Sequence, residues 1–255
     1  MFQRQFNLHP FLERLTSRSR LSEGEKQAIL DLPAHASQVA PNIDFVRLDH
    51  TTDHACIVVQ GLVGRFEQTF DGNRQITALH LPGDAADLHS VVQPKARSAL
   101  HTLTTTTILR VPHAALRSVA ANHPAVAEAF WRDCVIDAAI LSQWVVNVGR
   151  RDARGRVAHL VCEMAVRYKA VRPEQEFFFD FPVTQAQIGD MMGLTPVHIN
   201  RVLKALREEE LLTLSKSRVH VMNWTGLKYA GEFTAEYLQA DTGPEESLRL
   251  VAPHR

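Results

Sequence analysis

The densest run of chemically specific side chains lies between Thr184 and Arg218. Within it, Arg201 can donate two parallel hydrogen bonds to guanine O6 and N7, and Val197 can touch a thymine methyl. His198, Asn200 and Lys204 can read base edges or hold phosphate. Gln185 and Thr195 stand where two helices start, and free backbone N–H groups there meet phosphate. Pro196 follows Thr195 directly, and Lys216 and Arg218 place two cations in a short turn farther on. Side chains of these types, in this order, suit double-stranded DNA.

Elements able to position them are written into the same stretch. Thr184 can cap a helix, with Gln187 at the capping-box position. Gly189 inside that helix costs about 1 kcal/mol against alanine, which marks a close approach of another segment. Gly193 ends the helix as a glycine C-cap. Thr195 then caps a second helix with Pro196 in its first turn. That helix runs to about Glu209 and turns Ile199, Val202, Leu203 and Leu206 inward. Two short helices joined by a glycine turn make a helix-turn-helix, whose second helix enters the major groove. Leu211–Leu214 and Val219–Val221 flank Ser215-Lys216-Ser217-Arg218, a small hairpin with a basic tip, or wing.

Other chemistries find less support. The 13 histidines and the apolar strands of the first half admit a second reading, a metal-dependent, cupin-like β-barrel enzyme with a C-terminal protein-interaction domain. Such a centre needs two histidines and a carboxylate at strand-compatible spacing, and His80, His89, His101 and His113 are spread too widely. His50 and His54 are expected in a loop. Cys56, Cys134 and Cys162 are far apart, so neither a disulfide framework nor a zinc ribbon is expected. No nucleophile triad and no phosphate-binding glycine loop is visible, so an enzyme is not expected.

The net charge is zero, which excludes a histone-like binder, yet Arg150–His220 holds 12 Lys and Arg against 9 Asp and Glu. A locally basic segment on a neutral chain fits contact with phosphates. No stretch reaches the roughly 20 apolar residues that span a bilayer. Met1–Leu15 has no apolar leader core, so a cytoplasmic protein without membrane contact is expected.

Upstream, residues 39–112 read as short strands with glycine turns, an antiparallel β-roll of jelly-roll type. Asp71-Gly72 is a hairpin signal. Ser22 and Glu25 form a capping box in a helical N-terminal arm. The stretch from Ala125 to Val148 is one long helix, with Phe130, Ile136, Ile140, Trp144 and Val148 as its candidate dimerisation face. Asp133 and Asp137 interrupt one possible seam. Gly149–Gly155 reads as a polar hinge. Residues 225–239 read as an extra amphipathic helix, followed by a loose tail from Asp241. The fold class is thus α+β: an arm and β-roll (1–123), a dimerisation helix (124–149), a winged helix-turn-helix (150–224) and a tail (225–255).

The run from Val183 to Leu212 resembles the winged helix-turn-helix of the CRP/FNR family of bacterial transcription regulators. The upstream order of β-roll, long helix and hinge agrees, so the resemblance covers residues 35–223. It implies a homodimer paired through the long helix and bound to a near-palindromic operator, with RNA polymerase as a further partner. Arg201 falls on the family's recognition arginine. Val197 replaces the usual glutamate, which implies a different half-site. In members that bind cyclic AMP, a Gly-Glu pair holds the ribose and an Arg-Ser the phosphate. Here Asp87-Leu88 stands at the first, and Arg97-Ser98 is about one residue short of the second. The corresponding effector pocket would draw on Gly83, Asp84, Asp87, Arg97 and Ser98, but a cyclic nucleotide is not expected. Iron–sulfur members carry cysteines near the N-terminus. None precedes Cys56 here, so no cluster and no other cofactor is expected.

Overall fold

A computed structural model describes residues 6–239. The loose tail expected from Asp241 lies outside the described residues. The described residues divide into two compact units: 6–66 with 79–138, and 67–78 with 139–239.

In the first unit, the arm forms α1 (His9–Thr16) and α2 (Glu23–Leu30), and the Ser22–Glu25 capping box opens α2 as read from the sequence. The strands that follow are β1 (His35–Val39), β2 (Asp44–Val46), β3 (His54–Gln60), β4 (Val63–Gln68), β5 (Arg74–His80), β6 (Ala99–Thr102) and β7 (Thr106–Pro112), with the end of β4 and most of β5 counted in the second unit. They make two antiparallel sheets, ordered β1-β7-β3 and β2-β6-β4-β5. The threonine-rich stretch from Leu100 to Val111 is split into β6 and β7, which lie in different sheets.

β3 explains why its sequence is an unbroken apolar run. Cys56 and Val58 join Val46, Val63, Leu100 and Ile108 in one cluster. Ala55 and Ile57 point the other way, into a cluster with Phe11, Ile29, Leu116, Val126 and Phe130 from the helices. A strand covered on both faces has no polar positions to alternate.

After α3 (His113–Asn122), α4 runs from Pro124 to Arg150. Its inner stripe is not purely apolar. Asp133 takes Arg14 at 2.7 Å and Arg18 at 3.5 Å, and Asp137 takes Arg65 at 2.9 Å. The carboxylates that break the apolar pattern therefore face inward, each with an arginine.

This register corrects the dimerisation face read from the sequence. Phe130, Ile136, Ile140 and Trp144 are buried within the chain, so these four face its own core, and Val148 is half-buried. The opposite side carries Trp131, Val135 and Val145, each more than 60% exposed, with Ala138 and Ser142 between them. These five follow alternating four- and three-residue steps, the spacing of a coiled-coil seam.

The second unit holds the end of α4, α5 (Ala153–Arg167), β8 (Phe177–Asp180), α6 (Gln185–Met192), α7 (Pro196–Glu208), β9 (Leu212–Ser215), β10 (Arg218–Val221) and α8 (Trp224–Gly231). The strands form one antiparallel sheet, ordered β8-β10-β9. Helix α8 is shorter than expected. The chain turns left-handed at Glu232, and Phe233 and Leu238 fold back into the core. Gly231 allows the fit, since a Cβ there would lie 2.7 Å from the His159 backbone nitrogen. Among the described residues no helix is long and apolar enough to cross a membrane.

The break between helices falls inside the expected Gly149–Gly155 span and is narrower than it. α4 continues through Gly149, and the turn is confined to Arg151–Asp152. Asp152 caps α5 by accepting from the Gly155 N–H at 2.7 Å. The Arg156 Nε donates to the Arg151 carbonyl at 2.9 Å. Gly155 is buried at this corner, and Gly149 is helical with open space where a Cβ would stand. Gly149→Ala is therefore expected to raise stability by up to about 1 kcal/mol, through helix propensity alone. Thermal unfolding checks this, and a lowered midpoint would mean that Gly149 must leave the helical conformation.

Candidate nucleic-acid interface

The helix-turn-helix forms as its caps dictate. Thr184 Oγ1 accepts from the Gln187 N–H at 3.1 Å, and Gln187 Oε1 accepts from the Thr184 N–H at 2.8 Å. Gly193 takes the left-handed conformation at φ 64° and ends α6. Thr195 Oγ1 accepts from the His198 N–H at 3.3 Å and starts α7, with Pro196 in its first turn. The close approach marked by Gly189 is to the turn: a Cβ there would lie 2.4 Å from the Leu194 carbonyl oxygen. Any side chain would push the turn away from α6, since overpacking of this kind shifts backbone.

Ile199, Val202 and Leu206 bury the inner face of α7. The other face holds Val197, 63% exposed, with His198, Asn200, Arg201 and Lys204, all exposed or partly so. Arg201 makes no hydrogen bond or ion pair among the described residues. Lys204 has only a loose partner, Glu208 at 3.7 Å. Gln185, Thr195 and Pro196 are exposed at the two helix starts. Lys216 and Ser217 turn with positive φ between β9 and β10, which leaves Lys216 and Arg218 exposed at the wing tip. All ten side chains proposed from the sequence to touch DNA thus lie on the outside of this unit.

Several residues that support this surface were missed. The Arg218 guanidinium sits 4.9 Å above the Phe178 ring, which stacks on His220 at 4.1 Å. His220 is held by Glu176 at 2.6 Å. Phe178 lies in β8, and nothing local in the sequence shows that it stands beneath the wing arginine. Arg156 is the other omission. Its Nη1 donates to the Met192 carbonyl at 3.0 Å and so fastens α5 to the end of α6.

The effector residues expected in the β-roll are not brought together as a pocket. Gly83, at φ 95°, leaves room for the Pro10 carbonyl, 2.8 Å from where its Cβ would stand. Asp84 is buried, accepting from the Leu81 N–H at 2.8 Å and pairing with Arg14 at 2.6 Å. Both serve the arm. Asp87, Arg97 and Ser98 do line a cavity with Arg65 and His89, but its volume is about 10 Å³, room for one water. The Arg65 side chain enters here, donating to the Ala86 carbonyl at 2.7 Å as well as to Asp137. Asp87 Oδ1 accepts from the Cys56 N–H at 2.6 Å. Burial pushes the Asp87 carboxyl up to about 6, against the lowering effect of the Cys56 N–H. Burial also raises the Cys56 thiol well above its ordinary range and the Cys134 thiol to about 11, so neither is activated. Among the described residues no three His, Cys, Asp or Glu side chains gather as metal ligands.

The α6–α7 pair with its β9–β10 hairpin defines a winged helix-turn-helix of the kind that reads double-stranded DNA. Residues 155–230 match the Crp-like helix-turn-helix domain. The nitrogen fixation regulation protein FixK of Azorhizobium caulinodans is 25% identical over 210 residues, 78% of this chain and 84% of that protein. The transcriptional activator FnrL of Cereibacter sphaeroides is 26% identical over 179 residues, 67% of this chain and 68% of that one. The structure of FixK2 from Bradyrhizobium japonicum superposes with a TM-score of 0.72 at 27% identity, covering 80% of this chain and 100% of that one. The chain is a DNA-binding transcription regulator similar to members of the CRP/FNR family, with a Crp-like helix-turn-helix domain. The cupin-like reading has no support among these relatives.

The cavity yields a pH prediction. The folded Asp87 carboxyl binds its proton near pH 6, well above the roughly 3.9 of an unfolded aspartate. Between those values the folded state holds more protons, so this group's penalty on stability grows as pH rises from about 4 to 6 and is full above. Asp87→Asn is expected to gain stability relative to the wild type over that interval, by on the order of 3 kcal/mol. Urea unfolding of both proteins from pH 4 to 7.5 measures it, and a difference independent of pH would refute the raised value.

Proposed function

We propose that two copies of the chain pair along the outer stripe of α4 and present two α7 helices to successive major grooves of a near-palindromic operator. The reading is carried by the exposed face of α7, which sets an unpaired Arg201 beside Val197, His198 and Asn200 on a rigid, capped helix. Arg201 takes a guanine and Val197 a thymine methyl, while Lys204, Lys216, Arg218 and the helix starts at Gln185 and Thr195 hold phosphates. Half-sites on one face of the duplex lie about 34 Å apart, a spacing that only a dimer can match. The stripe of Trp131, Val135 and Val145 supports the pairing, since a monomer would leave these side chains in water.

The β-roll carries no cyclic nucleotide in this reading. Arg65 occupies the space, and Leu88 has no carboxylate for a ribose. RNA polymerase is the further partner that a DNA-bound regulator in the cytoplasm engages.

Selection from a random duplex library with the ligand-free protein tests the proposal, and a two-fold symmetric motif is expected. Arg201→Ala should lose preference at one position per half-site, at a cost of about 1–3 kcal/mol. An unchanged motif would remove Arg201 from base readout. Val135→Asp should sediment as a monomer and bind the operator weakly, whereas a stable dimer would place the interface elsewhere.

A further inference from the structure

The second unit carries another basic surface, away from the face of α7. The last turn of α4, the Arg151–Asp152 corner, the first turn of α5 and helix α8 enclose an open groove of about 1090 Å³, the scale of a small-molecule site. Arg150, Arg151, Arg154 and Lys228 line it, with Trp224 and Tyr229 as aromatic walls. Tyr229 is 89% exposed.

Some of the charge is committed. Arg154 is held by Glu209, and the Asp152 carboxyl caps Gly155. Arg150 and Lys228 are exposed and have no ion-pair or hydrogen-bond partner among the described residues.

Arg151 is the unusual member. Its side chain is only 9% exposed. Its Nε and Nη1 have no hydrogen-bond partner, and Nη2 reaches the Glu232 carbonyl only at 3.4 Å. The Glu232 carboxylate lies 3.6 Å from Nε on a side chain that is 77% exposed. A buried guanidinium left this open is normally matched by a bidentate oxyanion. The first N–H groups of α5, a helix of 15 residues, leave the same corner without intrahelical partners.

We infer that this groove binds a phosphate group, with Arg151, Arg150, Lys228 and the start of α5 as its ligands and the Trp224 and Tyr229 rings as platforms for an attached base. The phosphate has two sources: a free nucleotide, or the backbone of DNA running past the half-site. Only the second rests on the DNA-binding reading.

The test uses the full-length protein, the double variant Arg150→Ala/Lys228→Ala and the single variant Arg151→Gln, with thermal unfolding to show that each is folded. The double variant changes exposed side chains only, so it remains informative if Arg151→Gln does not fold. AMP and inorganic phosphate are the probes for a free ligand, followed by equilibrium dialysis. Saturable AMP binding, tighter than that of inorganic phosphate and weakened about tenfold or more in the double variant, establishes the nucleotide source.

For the DNA source, the salt dependence of affinity is measured on a duplex trimmed to the operator and on one extending past it. In the double variant the slope on the long duplex should fall by about 0.9 for each phosphate that is no longer neutralised, with no change on the trimmed one. The inference is overturned if AMP binds equally to wild type and double variant. It is equally overturned if neither probe binds up to about 10 mM and the salt slopes agree. A wild type that binds no DNA would refute the DNA reading, and dialysis alone would then decide the groove.

Discussion

A carboxyl group with no exposed surface sets the geometry of the DNA-reading unit. Glu163, on α5, receives the Trp144 indole N–H at 2.9 Å, the Tyr237 hydroxyl at 3.0 Å and the Arg167 guanidinium at 3.1 Å. Three donors from the end of α4, from α5 and from the segment after α8 therefore converge on one side chain. A buried polar group left without partners costs more than the net value of the bonds it makes, so the three elements must keep their mutual positions. α5 in turn packs on α6, α7 and α8. Through Arg156 and Met192 it also holds the end of α6, next to the turn that launches the recognition helix.

The first unit depends on the same physics with the charges reversed. Arg14 is shared by Asp84 and Asp133, and Arg65 spans the Ala86 carbonyl and Asp137. These pairs attach the arm and the strands to the inner face of α4. Of these side chains Arg65 also lines the small β-roll cavity. Buried pairs of this kind add little net stability over apolar packing, but breaking one strands a charge, so they fix which face of α4 turns inward. Once that face is chosen, the apolar stripe on the other side has no intramolecular cover.

Where neighbouring residues carry the instruction, the sequence was read correctly. The Ser22, Thr184 and Thr195 caps, the Gly193 turn, the close approach at Gly189 and the β9–β10 wing all depend on interactions within a few positions along the chain. The exposure of the ten side chains proposed to touch DNA was legible for the same reason: a capped helix with one apolar face leaves only the other face exposed. The errors fall where the answer depended on distant residues. Apolar side chains ring α4, and periodicity cannot say which stripe faces the chain's own core. Asp133 and Asp137 looked like interruptions because their arginines lie far away in sequence. Between the glycines at 149 and 155, the extent of the turn was set by the Asp152 cap, which the glycines alone do not reveal. Phe178 and Arg156 gave no signal at all, since each acts through a partner more than thirty residues away.

The sequence by itself determined the class of the protein: a mixed α and β chain ending in a winged helix-turn-helix, with Arg201 and its neighbours on the exposed side of the second helix. Local caps, turn glycines and amphipathic spacing suffice for that, because they act over a single turn of backbone. The tertiary structure decided which side of α4 is inside, that Arg65 reaches both the β-roll cavity and Asp137, and that Arg151 is buried with unmatched donors beside an open groove. Those outcomes depend on burial and on charge pairs between remote segments, whose energies exist only after the chain has brought the segments together.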